Sequence, residues 1–447
     1  MNPGPMDLSE PKARLAFAIA KTLSERGFTA YFAGGCVRDH LMGQGPRDFD
    51  IATTATPDEV EKIFRKTIPV GKQFGVMIVV EGEAPFEVAT FRCEGGYQDG
   101  RHPAHVAFTQ PEEDAKRRDF TVNGMFYDPS AEKVIDFVGG LEDLPLKVIR
   151  AIGDPAARFE EDKLRLLRAI RFASTLGFEI EKKTWDALRK QASGIHAVSP
   201  ERIREEIVKI FTRAGAARGF VLLSESGLMK EILPEVETMR GVKQPENFHP
   251  EGDVYEHTRL LLEHFHPPVS TTLAFAALFH DIGKPKTAAI RKGRLTFYEH
   301  SEEGVKIACE IMKRLRFSNE EIDGVAECVA NHMKFMEVQK MRAGKLKQFI
   351  SRPHFKDEME LHRADCTASH GMLDNLAFLQ DKLKEYANEE LKPKPLVNGH
   401  DLMDLGMKPG PAMKPVLEEL YELQLEGTHE TREEALAWAK QKIRHLP

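Results

Sequence analysis

The stretch Tyr31–Ala55, YFAGGCVRDHLMGQGPRDFDIATTA, decides the fold of the first third of the chain. A short apolar run ends in a Gly-Gly turn, a short helical segment follows, and Asp48-Phe49-Asp50 then opens a second β-type run. Side chains alternate along a strand, so Asp48 and Asp50 should project from one face and Phe49 from the other. Two carboxylates so placed suit Mg²⁺, which takes oxygen ligands and keeps waters and substrate phosphates in its other positions. Phosphoryl transfer uses that arrangement, because divalent ions activate the attacking hydroxyl and neutralise charge on the phosphates. Gly34 and Gly35 leave room for backbone N–H groups to approach a triphosphate, and Arg38 adds a charged contact. A DxD pair alone also fits an ordinary exposed strand end. The preceding GGCVRD is what separates the two readings.

Outward from this stretch, VMIVV and FEVATF continue the β-type pattern, so the first third reads as an α/β domain. EEDAKRRDFTVNGMFYDP offers a third acid, Asp119, flanked by Arg118 and followed by Asn123, which could complete the metal site or hold sugar and phosphates. VIDFVGGLEDL reads as strand, tight turn and helix cap around Asp136, Gly139, Gly140 and Asp143, a structural element or an interdomain hinge. From about Asp154 the period becomes helical. RFEEDKLRLLRAIRF is expected to set Glu161, Asp162, Arg165, Arg168 and Arg171 on one helix, with residues three apart as neighbours. Asp162 and Arg165 would then present an acceptor beside donors, matching the edges of cytosine and adenine, while uracil and guanine reverse those polarities. The same pair is also an ordinary surface ion pair.

The helical remainder holds a second constellation: His257, the doublet His280-Asp281 closing TLAFAALFHDIGKP, then His300, His332 and Asp365. Imidazoles and carboxylates without cysteine suit one or two catalytic divalent ions.

With 447 residues the chain is expected to form several domains. Its 41% hydrophobic and 30% charged residues are those of an ordinary globular protein, and no apolar run approaches the ~20 residues of a membrane span. The opening residues lack a secretory pattern, and five cysteines without a CxxC pair argue against disulfides and thiolate zinc; both point to the cytoplasm. A net charge of −7 means that any nucleic-acid contact must come from local clusters, such as Arg158 to Arg171 and Arg202 to Arg218.

The order of the motifs resembles the class II tRNA nucleotidyltransferase and bacterial poly(A) polymerase family. GGxVRD with DxD matches Gly34, Gly35, Arg38, Asp39, Asp48 and Asp50, and RRDFTxNAM matches Arg117 to Met125, with Gly124 in place of Ala. DxxGGxxDL matches Asp136 to Leu144, and the base-recognising EDxxRxxR matches Glu161, Asp162, Arg165 and Arg168. The segment 90–108 looks like the loop with which CCA-adding members switch from CTP to ATP, although His102 replaces the commoner Arg. The C-terminal segment looks like the body and tail of bacterial members, with Lys414 where Gly is expected. The second constellation resembles the HD phosphohydrolase module.

The resemblance implies a polymerase-β-like α/β nucleotidyltransferase head (1–153), an all-α neck that reads the base and binds RNA (154–240), an HD body (241–392) and a helical tail (393–447). It implies addition of C, C and A to tRNA from CTP and ATP. Asp48, Asp50 and Asp119 would be catalytic, with Mg²⁺ on the first two; Gly34, Gly35, Arg38, Arg118, Asn123, Asp162, Arg165, Arg168 and Arg171 would bind nucleotide. Mn²⁺ or Ni²⁺ would bind in the HD module. No membrane or protein partner is indicated. The alternatives are an A-adding, CC-adding or poly(A)-synthesising relative, a phosphohydrolase with an inactive head, and a non-catalytic RNA-binding protein.

Overall fold

Period-two burial organises the N-terminal domain. In the computed structural model, which describes residues 4–46, 48–97, 103–245 and 252–445, seven strands form one mixed sheet. They are β1 (Ala30–Ala33), β2 (Asp50–Thr53), β3 (Thr67–Gly71), β4 (Val76–Glu81), β5 (Ala84–Thr90), β8 (Phe126–Asp128) and β9 (Lys133–Ile135), in the order β3-β4-β5-β2-β1-β8-β9. Only β2 and β5 run parallel; the other neighbours are antiparallel. Ala33 lies opposite Asp50 on one side and Phe126 on the other, so the Gly34 turn, the start of β2 and the entry to β8 meet at one end of the sheet. This register positions the site.

The segment likened to a switching loop is largely an antiparallel pair, β6 (Arg92–Tyr97) with β7 (Pro103–Phe108). His102 lies outside the described residues.

The chain divides into two units, Met1–Pro234 and Glu235–Pro447. In the first, a short parallel pair, β10 (Val148–Ile149) and β11 (Glu179–Ile180), ties the sheet-bearing part to the helices that follow. The expected single helix through Glu161 and Arg171 is instead two, Pro155–Glu161 and Leu164–Leu176. The break has a local cause. Asp162 leaves helical geometry (φ −141°, ψ 104°), and its Oδ1 accepts the Leu164 N–H at 3.0 Å, a side-chain bond that competes with the helical ladder.

In the second unit, the helix Thr271–Phe279 is buried at every position from Leu273 onward and delivers His280-Asp281 at its end. The helices Val254–Glu263, His300–Arg314, Asn319–Asn331 and Phe355–Ala368 complete the region. It is not wholly α. A hairpin of β12 (Ala289–Arg291) and β13 (Arg294–Thr296) interrupts it, because Lys292 and Gly293 both take positive φ (50° and 73°), the geometry of a two-residue turn between twisted strands. A separate apolar core formed by Val397, Leu402, Met407, Val416, Leu420 and Ala439 supports the tail. No helix among the described residues is long and apolar enough to cross a membrane.

Candidate active sites

At the head site the alternation read from DFD is present: Asp48 and Asp50 are exposed, while Phe49 is buried with its ring centre 5.3 Å from that of Phe32. Protein around the Asp50 carboxyl withdraws enough water to raise its pKa, against the opposing pull of Arg118. Lys12, from the helix Pro11–Glu25, places Nζ 2.6 Å from Asp48 Oδ1. An ammonium therefore sits where these carboxylates gather positive charge, which fits an oxygen-liganded cation. Nothing in PKARLAF marks Lys12 in the sequence, since the contact spans 36 positions.

Gly34 has φ 71° and ψ −127°, a backbone state that glycine alone adopts readily. Its N–H donates to Met125 O at 3.3 Å. Arg118 packs against it, with Nη1 3.5 Å from where a Cβ would stand, and its guanidinium lies 4.9 Å from the centre of the Phe126 ring. Asp114, almost completely buried, anchors both Arg117 (2.7 Å) and Arg118 (3.0 Å). The i+3 and i+4 spacing in EEDAKRR is the signal for that clamp.

Asp119 does not join the carboxylate pair as a third open ligand. Its Oδ2 accepts from Arg168 Nε at 2.7 Å, and its Oδ1 accepts the Phe120 N–H at 2.8 Å and Asn123 Nδ2 at 3.4 Å. Burial pushes this carboxyl up, but Arg168 outweighs burial and keeps it ionised. A buried carboxylate needs that compensation. Asn123 Oδ1 in turn accepts from Arg38 Nη1 at 2.6 Å. Arg38, Asn123, Asp119 and Arg168 thus form one chain linking three motifs that lie far apart in sequence. Phe172 sits among them, its ring centre 5.5, 5.3 and 4.2 Å from the guanidinium carbons of Arg38, Arg168 and Arg171. Arg171 also pairs with buried Glu206 at 2.9 Å.

Arg165 is buried and largely engaged. Nη1 donates to Glu161 Oε2 (2.8 Å) and Arg158 O (3.0 Å), and Nη2 donates to Arg117 O (2.8 Å). Asp162, on the helix break, takes Arg202 at 3.2 Å. Much of the first basic cluster is therefore consumed inside the protein and does not form a solvated face. Asp136 and Asp143 are both occupied by nearby donors. Asp136 accepts the N–H groups of Val138, Gly139 and Leu141 (2.9, 3.0 and 2.9 Å), and Asp143 accepts from Thr121 Oγ1 (2.7 Å) and Arg150 (3.0 Å).

In the second unit all six residues of the other constellation converge. His257, His280 and Asp365 form one group able to hold a metal ion, and Asp281, His300 and His332 form another. Asp281 spans both, with Oδ2 3.2 Å from His280 Nε2 and Oδ1 3.6 and 3.9 Å from the Nε2 atoms of His300 and His332. Nδ1 of His280, His300 and His332 lies 2.8, 2.8 and 2.7 Å from the carbonyl oxygens of Ala277, Phe297 and Val329. A carbonyl can only accept, so each Nδ1 carries a proton, and in the neutral ring Nε2 is the ligand atom that faces the centre. His300 and His332 then hold two lone pairs 3.1 Å apart, an arrangement that a cation relieves. Burial drives the His332 pKa down to about 3, which keeps the ring a neutral ligand. Lys284, three residues beyond Asp281 and missed in the sequence, donates to Asp281 and Gln244, both at 2.6 Å.

Three family models match the chain. Residues 30–150 match the poly A polymerase head domain, residues 177–239 the probable RNA- and SrmB-binding site of polymerase A, and residues 253–369 the HD domain. Residues 30–150 are thus similar to a poly A polymerase head and residues 253–369 to an HD domain. The head-bearing chain is also 46% identical over 218 residues to the CCA-adding enzyme of Bacillus pumilus (strain SAFR-032), covering 48% of this chain and 54% of that protein. It is 43% identical over 218 residues to that of Lactobacillus helveticus (strain DPC 4571), with the same coverage. The chain spans about half the length of these curated relatives. Among solved structures, the Bacillus stearothermophilus CCA-adding enzyme in complex with CTP superposes with a TM-score of 0.74 at 26% identity, over 97% of this chain and 98% of that one. The Thermotoga maritima CCA-adding enzyme complexed with tRNA shares the fold, with a TM-score of 0.58 at 21% identity over 98% and 97%.

In the HD domain, Gly283 shows how tightly the ligand-bearing elements pack. A Cβ there would lie 2.1 Å from His300 O and 2.7 Å from Gly304 N. Gly283→Ala is expected to displace the helix that begins at His300 and to destabilise the domain by about 3 kcal/mol, at the upper end for overpacking. Thermal unfolding followed by calorimetry checks this; an unchanged transition would mean that the close approach is not maintained.

Proposed function

We propose that this chain adds C, C and A to the 3′ end of tRNA from CTP and ATP, releasing pyrophosphate, and that it works in the cytoplasm. The observation that carries the reading is the meeting of Gly34, Asp50 and Arg118 at one end of the sheet, joined through Asn123 and Asp119 to the helix of Arg168. The names of the relatives, and of the solved structures bound to CTP, ATP and tRNA, support the same substrates. We further divide the chain into head, neck, HD body and tail near residues 153, 240 and 392.

Asp48 and Asp50 would hold Mg²⁺, which supplies hydroxyl activation and charge neutralisation. Gly34 and Gly35 admit the triphosphate close to the main chain, and Arg38 and Arg118 balance its charge. The RNA hydroxyl oxygen bonds to the α-phosphorus, the bond to pyrophosphate breaks, and the hydroxyl proton is lost. Asp119 serves as a positioning residue for Arg168 and Asn123.

Base choice rests on Asp162 and Arg165. Three donors of Arg165 are fixed by protein acceptors, which leaves two of its five N–H groups for a base, and Asp162, three residues before it, keeps lone pairs beyond those used by the Leu164 N–H and Arg202. Together they would accept from the amine and donate to the ring nitrogen of cytosine or adenine.

Purified protein with Mg²⁺ and transcripts ending before CCA, after C and after CC, given CTP, ATP or both, tests the reading. Completion to CCA followed by termination is expected. A stop at CC, A addition only, or a long A tail would replace it with the corresponding sister activity.

For the HD domain we propose hydrolysis of phosphoesters at RNA ends, such as 2′,3′-cyclic phosphates, where water adds to phosphorus and one ring P–O bond opens. Asp281 with the four histidines and Asp365 would hold Mn²⁺ or Ni²⁺, which supplies an activated water and charge neutralisation. Lys284 adds a buried positive charge at the same carboxylate.

A further inference from the structure

Between two residues of the HD constellation, Asp281 and His300, the chain makes the β12–β13 hairpin. Residues 284–298, KPKTAAIRKGRLTFY, hold five Lys or Arg and no Asp or Glu, in a chain with 70 acidic and 63 basic residues. Two of the five are already engaged, Lys284 on Asp281 at 2.6 Å and Lys286 on Glu303 at 3.1 Å. Arg291, Lys292 and Arg294 are exposed, and among the described residues none has an acidic partner. Cations concentrated on a short turn without acidic partners are disfavoured by their own repulsion unless an anion meets them.

Aromatic and apolar surface accompanies this charge. Tyr298 is 61% exposed and Ile290 79%, and the Arg291 guanidinium lies 4.8 Å from the centre of the Tyr298 ring. A guanidinium on a tyrosine ring limits its rotation and leaves the opposite face open, the arrangement on which nucleic-acid bases stack. Tyr298 is two residues from His300, roughly 7 Å of extended chain. The same strand end is fixed to the cluster, because the Phe297 carbonyl accepts from His300 Nδ1 at 2.8 Å.

We infer that the β12–β13 hairpin is a single-strand nucleic-acid grip for the HD site, in which Tyr298 stacks a base near the terminus and Arg291, Lys292 and Arg294 meet the adjoining phosphates. The inference rests on the hydrolase reading above and narrows it: the substrate is an RNA end, bound through base and backbone, and not a free small phosphoester.

The test uses the full chain loaded with Mn²⁺ and three probes: bis-p-nitrophenyl phosphate, cytidine 2′,3′-cyclic phosphate, and a short single-stranded RNA ending in a 2′,3′-cyclic phosphate. For the RNA, Tyr298→Ala and the double variant Arg291→Glu/Arg294→Glu should each raise KM about tenfold or more, the scale of one stacking or phosphate contact. kcat for RNA and turnover of bis-p-nitrophenyl phosphate should remain within about twofold, and Tyr298→Phe should restore the KM. If RNA and small ester lose activity equally, the hairpin only props His300 and the inference fails. Unchanged RNA kinetics with intact turnover would also overturn it, leaving the hydrolase reading standing. No turnover of any probe with Mn²⁺ or Ni²⁺ would sink the hydrolase reading and this inference together.

Discussion

Asp50→Ala is expected to lower incorporation of both CTP and ATP about 10³-fold or more, a loss of about 4 kcal/mol of transition-state stabilisation. The reasoning starts from position. Asp50 is the first residue of β2, opposite Ala33 at the Gly34 turn, and like Asp48 it is an exposed residue, although protein lies close around its carboxyl. Its side chain contributes nothing to the core, which Phe49 fills from the other face. The substitution should therefore leave the fold intact, as judged by circular dichroism and an unchanged melting transition. A raised carboxyl pKa adds a second signature. In the proposed site the ionised form would hold the cation, so the acid side of the rate profile should fall away at a higher pH than an ordinary aspartate would give. Arg118 favours the ionised form, so Arg118→Ala should move that limb higher still. Near-normal incorporation by Asp50→Ala would remove Asp50 from the metal site.

The head site was readable in sequence wherever its geometry is local. GGCVRD and DFD lie within 17 residues, and strand alternation alone sets Asp48 and Asp50 together. The same local logic placed His280-Asp281 at the end of a helix that is apolar from Leu273 onward. What failed to show were contacts that only the tertiary fold creates. Asp119 looked like a free ligand because its partner, Arg168, stands 49 positions away, and Lys12 carries no mark of its place beside Asp48. Helical periodicity also hid the break at Asp162. The apolar positions continue in phase on both sides, and one side-chain bond to the Leu164 N–H redirects the backbone. The β12–β13 hairpin was missed for a related reason: IRKGRLT has too few apolar residues to display alternation, and its shape depends on two turn residues with positive φ.

The second large effect belongs to Asp281. Its buried carboxylate faces both groups of the HD constellation, Oδ2 toward His280 and Lys284 and Oδ1 toward His300 and His332. Burial alone would raise its pKa, but the polar groups around it and the Lys284 ammonium overcome this and hold it well below the usual carboxylate range. It is therefore the fixed negative charge of a site otherwise built mainly from neutral imidazoles, with Asp365 as the other anion. Asp281→Asn keeps the shape, removes the charge and turns an N–H toward at least one of these partners. Mn²⁺ affinity measured by calorimetric titration is expected to fall about 100-fold or more, and hydrolysis of bis-p-nitrophenyl phosphate with it, while nucleotide addition by the head stays unchanged. The variant also leaves the Lys284 ammonium buried with Gln244 as its remaining partner here, a loss of charge pairing that can cost about 3–5 kcal/mol. Asp281→Asn/Lys284→Met removes both charges and separates the two effects. If the single variant fails merely because the domain unfolds, the double variant should recover thermal stability and metal binding together. Recovery of stability without recovery of Mn²⁺ binding would instead identify the Asp281 charge as what holds the cation.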